Sequence, residues 1–224
     1  VRWQHRTLIG ATAILLGSGG IGWALDTDGL VGEQPLAREV LARRHIRVDG
    51  AGNVPIDYRN AVTTFANEGL LDAVQAEYAR QLPPGEEPEF VVHETAPGTF
   101  AYANAKGETS TLRELYRGTS GTNQFAVVYH VQGRRFFGDF QSLIHIEIAP
   151  AAATSTVYQA SVYAYPESAV PRFFARHLGL VDRYFRSKTA DIEALATRIC
   201  IRLCAPPAGD GLAMGTPAAA ILSR

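Results

Sequence analysis

The chain has 224 residues, of which 46% are hydrophobic and 19% charged, and its formal net charge is −1. Those figures suit one globular domain with appendages. They argue against charge-driven binding to nucleic acid, because there is no basic excess to displace counterions from phosphates. Two cysteines, Cys200 and Cys204, exclude a disulfide scaffold.

The first 25 residues read VRWQHRTLIGATAILLGSGGIGWAL. Arg2, His5 and Arg6 precede an uncharged run, Leu8–Leu25, of 18 residues. As a helix it would be about 27 Å long, close to the hydrocarbon thickness of a bilayer. Asp26, Asp28 and Glu33 follow it. The charge bias places the N-terminus in the cytoplasm and exports the rest. Two readings stand. A retained anchor would use Trp3 and Trp23 at the interfaces and make the protein a single-pass inner-membrane protein. A signal peptide cut near Gly22-Trp23-Ala24 would leave a periplasmic or secreted chain. We favour the anchor. Val1 opens the chain and Met214 is its only methionine, which we read as an alternative start codon.

Residues 26–35 (DTDGLVGEQP) form a polar linker. A single α+β domain is expected over 36–204. It opens with a short helix, Leu36–Arg44. HIRVD (45–49) alternates as a strand and GAGN follows as a turn. Asn60–Gln81 has helical spacing, broken near Asn67-Glu68-Gly69. From Glu89 the period becomes two. FVVHET (90–95), TFAYANA (99–105), TLRELYRGT (111–119), NQFAVVYHVQ (123–132), RFFGDFQSLIHIEIA (135–149) and TSTVYQASVYAYP (154–166) read as strands of an antiparallel meander. Pro166 ends the last one and Ser168 is the expected cap of a long C-terminal helix, 169–204. Its apolar face is too broad for a free surface helix. Ser187-Lys188-Thr189 interrupts its stripe, where a kink or a second helix start is expected. Residues 205–224 read as a flexible tail.

The closing unit, VYAYPESAVPRFFARHLGLVDRYF (162–185), with the meander before it, resembles the START-like (SRPBCC) helix-grip superfamily. The resemblance is architectural and covers roughly residues 45–204. It implies a curved antiparallel sheet packed on the C-terminal helix, with an elongated apolar cavity between them. No catalytic residue transfers with it.

Chemistry-bearing residues are few. His145 and Glu147 share one strand face, while Ile144, Ile146 and Ile148 share the other, which must meet a core. The polar pair therefore faces water or a polar-lined cavity, where it could act as acid and base or as two metal ligands. Spacing supplies no third ligand. His130 reads as a satisfied, half-buried histidine. Adjacent His93 and Glu94 point apart. Arg172, Phe173, Phe174 and His177, at the helix start, could meet a ligand's acid or apolar body. Cys200 and Cys204 share one helix face as small apolar residues. No Walker A, G-x-S-x-G, G-x-G-x-x-G, H-E-x-x-H or C-x-x-C motif occurs. The expected function is a membrane-tethered or exported domain that binds a lipid or another hydrophobic small molecule. His145, Glu147, Arg172, Phe173, Phe174 and His177 are its candidate ligand contacts, residues 8–25 its membrane contact. No catalytic residue, metal, cofactor or nucleic-acid partner is assigned. The alternatives are an envelope assembly protein with a closed core, and an enzyme using His145 and Glu147.

Overall fold

The computed structural model describes residues 34–167 and 179–204. The membrane run 8–25, nearly all of the linker, the Ser168 cap and the tail 205–224 lie outside them. Among the described residues no helix is long and apolar enough to cross a membrane.

Seven antiparallel strands form one curved sheet in the order β1-β7-β6-β5-β4-β3-β2. In chain order they are β1 (Ile46–Val54), β2 (Phe90–Ala96), β3 (Thr99–Asn104), β4 (Thr109–Gly121), β5 (Gln124–Arg135), β6 (Gly138–Ala152) and β7 (Ser155–Pro166). Among the described residues four helices join them: α1 (Pro35–Ala42), α2 (Tyr58–Phe65), α3 (Leu70–Arg80) and α4 (Leu180–Leu203). The expected α+β class holds, with β2 to β7 as the meander. α4 lies against one face of the sheet, as the helix-grip resemblance implies.

Local chemistry sets the element ends. Asp57 caps α2 by accepting from the Arg59 and Asn60 amides at 2.9 and 3.3 Å. Asn67 accepts from the Gly69 amide at 2.9 Å and separates α2 from α3. Three expectations need correction. GAGN is not a turn: β1 runs straight through it to Val54, paired with β7 from Ile46↔Ala164 to Val54↔Thr156. The stretch 135–149 is not one strand from Arg135, since the β5–β6 hairpin turns at Phe136-Phe137 and Gly138 takes φ 99°. Ser187-Lys188-Thr189 does not break the last helix either. α4 is continuous there, and the left-handed residue is Gly179, at φ 61°, just before Leu180. The serine and threonine sit on a helix whose ends are held by packing, which overrides their weak propensity.

Both sheet faces carry core. On the outer face, Ala37 and Val40 of α1 pack on Val128, Leu143, Tyr163 and Tyr165. On the helix face there are two clusters. Val181 and Phe185, at the start of α4, pack with Val48, Val131, Phe137, Phe140 and Ala164. Ile201 and Cys204, at its end, pack with Val54, Phe125, Val127, Tyr129 and Ile148, together with Ala61 of α2 and Leu71 of α3. β5 is buried on both sides from Phe125 to Val131, so its sequence reads as a nearly unbroken apolar run.

Candidate functional site

The two clusters seal the ends of α4 and leave its middle different. The helix lies closest to β1 and α3. Register places Ile144 beside Val162, and Ile146 beside Ala160, which pairs with Gly50. All of these are only half-buried, whereas His145, Glu147, Ser161 and Tyr163 on the opposite face of the same strands are buried. The helix turns that pass over this stretch present Thr189, Glu193, Ala196 and Thr197, which are short or polar, between Phe185 and Ile199. Between the two clusters, the helix face of β6 and β7 is therefore apolar and only partly covered.

Two polar groups reach its sides. On the β1 side, the Tyr158 hydroxyl donates to Glu193 Oε1 at 2.8 Å, and Thr197 Oγ1 donates to the phenol at 3.5 Å. Burial pushes the Tyr158 phenol up, so it remains a donor at neutral pH. The carboxylate sits over β1 where glycines leave space. A Cβ at Gly50 would stand 2.5 Å from Glu193 Oε2, and one at Gly52 would stand 2.6 Å from the Tyr158 hydroxyl oxygen. On the β5 side, Arg117 pairs with Glu114, donates to the Phe65 carbonyl, and donates to the Tyr129 hydroxyl at 3.0 Å. In a regular strand, residues 114 and 117 would point to opposite faces. The bulge between Glu114 and Tyr116 adds Leu115 and brings both to the helix face. Burial, with Glu114 nearby, pushes the Tyr129 phenol up to about 12 despite the guanidinium beside it.

His145 and Glu147 do share a face, but it is the outer face, away from α4. They are 5% and 6% exposed, so they do not look onto open water. The Glu147 carboxylate accepts from Ser120 Oγ at 2.6 Å and lies 4.0 Å from His145 Nε2. Nε2 has no hydrogen-bond partner, the one such buried side-chain atom among the described residues. Burial first, and Arg47 second, push the imidazole down to about 4, which leaves it neutral at physiological pH. Arg172, Phe173, Phe174 and His177 lie outside the described residues. His130 is buried and its Nε2 meets Gln141 Oε1 at 3.1 Å. His93 and Glu94 are exposed on the edge strand β2. Among the described residues no three His, Cys, Asp or Glu side chains are grouped to hold a metal ion. Sequence reading missed Glu193, Glu114 and Arg117, and it took Tyr158 only as one of several aromatics that could wall a cavity. The available signal was the pair of glycines in a strand, which marks a close approach by something else.

No protein-family model matches the chain, and no curated protein sequence matches it. Among solved structures it is similar to a conserved protein from Geobacillus kaustophilus, at 11% identity over 70% of this chain and 94% of that chain, with a TM-score of 0.45. It is similar to a truncated norcoclaurine synthase from Thalictrum flavum, at 13% identity over 70% and 91%, TM-score 0.46. A protein from Chromobacterium violaceum matches at 13% identity over 71% and 98%, TM-score 0.42. At these identities and scores the likenesses assign no function to this chain.

Proposed function

We propose that this domain binds a small, mainly apolar ligand, of which a lipid is one class, in a hollow between α4 and strands β6 and β7. The observation that carries this reading is the row of apolar but only partly buried side chains Ile144, Ile146, Ala160 and Val162. These are apolar side chains on the face of the sheet that α4 crosses, between the clusters at its two ends. Water over such a floor is readily displaced by an apolar body, and few polar groups are needed to orient it. The apolar run 8–25 would hold the domain at the inner membrane with its N-terminus in the cytoplasm, or export it if cleaved. Fractionation and N-terminal sequencing of the native protein decide between these.

Titration of the full chain with Nile red tests the hollow. Saturable binding with a fluorescence rise is expected. Ala160→Trp should fill the floor and weaken binding by roughly tenfold or more, with an unchanged circular dichroism spectrum. An absence of saturable binding, or an unaltered affinity in a folded Ala160→Trp protein, contradicts the proposal.

A further inference from the structure

We propose that Glu193 is the polar anchor of the hollow and selects ligands that carry a protonated amine on an apolar body. This rests on the binding reading above and adds the ligand's charge. α4 carries two acids near its middle with very different surroundings. Asp191 is exposed and pairs with Lys188 at 3.6 Å, as surface acids do. Glu193 turns toward the sheet, and β1 accommodates it with glycine at both places where a side chain would collide with the carboxylate or with its tyrosine partner. Glycine weakens a strand, since it packs nothing and loses more backbone freedom on folding. Two of them on one face are explained by what stands on that face.

The bonding of the carboxylate is half complete. Oε1 accepts from Tyr158, which fixes the group's orientation. Among the described residues Oε2 has no hydrogen-bond donor and no Lys or Arg pairs with Glu193. The arginines of β1 and β4 described above pair with other acids. Arg47 bonds Asp49 at 2.9 Å on the outer face, and Arg117 is neutralised by Glu114. Among the described residues the Glu193 carboxylate thus has no cationic partner, and it stands beside the apolar stretch of β6 and β7. An ammonium group supplies both the missing donor and the missing charge. A carboxylate-headed ligand such as a fatty acid meets repulsion, and an alcohol supplies only the donor.

Calorimetric titration of the full chain with octylamine, 1-octanol and octanoate, each below its micelle concentration at neutral pH, separates these cases. Octylamine should bind roughly tenfold more tightly than octanol, the scale of one charge-assisted contact, and octanoate more weakly than octanol. Glu193→Gln keeps an acceptor for Tyr158 and removes the charge. It should abolish the amine's advantage over octanol. A purely structural strut between α4 and β7 predicts otherwise: equal binding of amine and alcohol in the unaltered protein, or an amine advantage that survives Glu193→Gln. Either result overturns the anchor role while leaving the hollow intact. If octanol also fails to bind, the hollow itself is refuted and the anchor with it.

Discussion

His145 weakens the domain in acid through one atom. Its imidazole is buried with Nε2 unpartnered, and its pKa is lowered from 6.5 to about 4. Below pH 6.5 the unfolded chain takes up this proton while the folded chain refuses it, so acid favours unfolding. The stability due to neutral His145 is complete above about pH 6.5 and is lost as pH falls toward 4. Such a shift corresponds to about 3 kcal/mol. Urea titrations of wild type and His145→Phe between pH 7 and pH 4 should show a shallower acid loss in the variant. Parallel pH profiles would remove His145 from the account. Alternation alone places this histidine with Glu147 on one face. It says nothing of what covers that face, so the burial of both was not legible. Tyr158 and Glu193 were less legible still: they lie 35 positions apart, on elements whose relative placement no local pattern fixes.

At the scale of elements, the free edge of β2 is managed by a side chain. Gln75 of α3 donates to the Phe90 carbonyl at 3.4 Å and accepts from the Val92 amide at 3.1 Å. One amide thus stands in for a stretch of neighbouring strand and blocks part of an edge that would otherwise invite pairing. Gln75→Ala should accelerate hydrogen exchange of the Val92 amide about tenfold, the scale of one lost hydrogen bond, and leave central β6 amides unchanged. Equal rates at Val92 would show the contact to be idle. Periodicity located every strand from β2 to β7 and the gap between α2 and α3, because those signals are carried by consecutive residues. It failed at GAGN, where glycine usually signals a turn and here serves the opposing helix. It failed also at Leu115, since a bulge leaves no mark on composition.

Over the whole molecule, α4 is a bar fastened by apolar clusters at its ends and by the Glu193–Tyr158 bond near its centre. The far fastening includes both thiols. Burial, with Cys204 adding to it, pushes Cys200 up to about 12, and burial pushes Cys204 up although a bond with Thr64 opposes it. Neither is a ready nucleophile while α4 is seated. Labelling by a thiol reagent should therefore rise along the same urea curve as the loss of circular dichroism. Labelling well below that transition would show that α4 detaches before the sheet unfolds.

The strand order has a further consequence, for how the chain is made. β1 pairs with β7, and the hydrogen-bonded residues Asp49 and Ser161 across that seam are 112 positions apart. During synthesis β1 emerges early and has no partner until the rest of the meander is complete, an interval in which bare strands tend to aggregate. Its sequence suits the wait. Gly50 and Gly52 lower its strand propensity, and Arg47 and Asp49 place charges on one face. The residues that leave room for Glu193 in the finished domain also make the waiting segment a poor template for another chain.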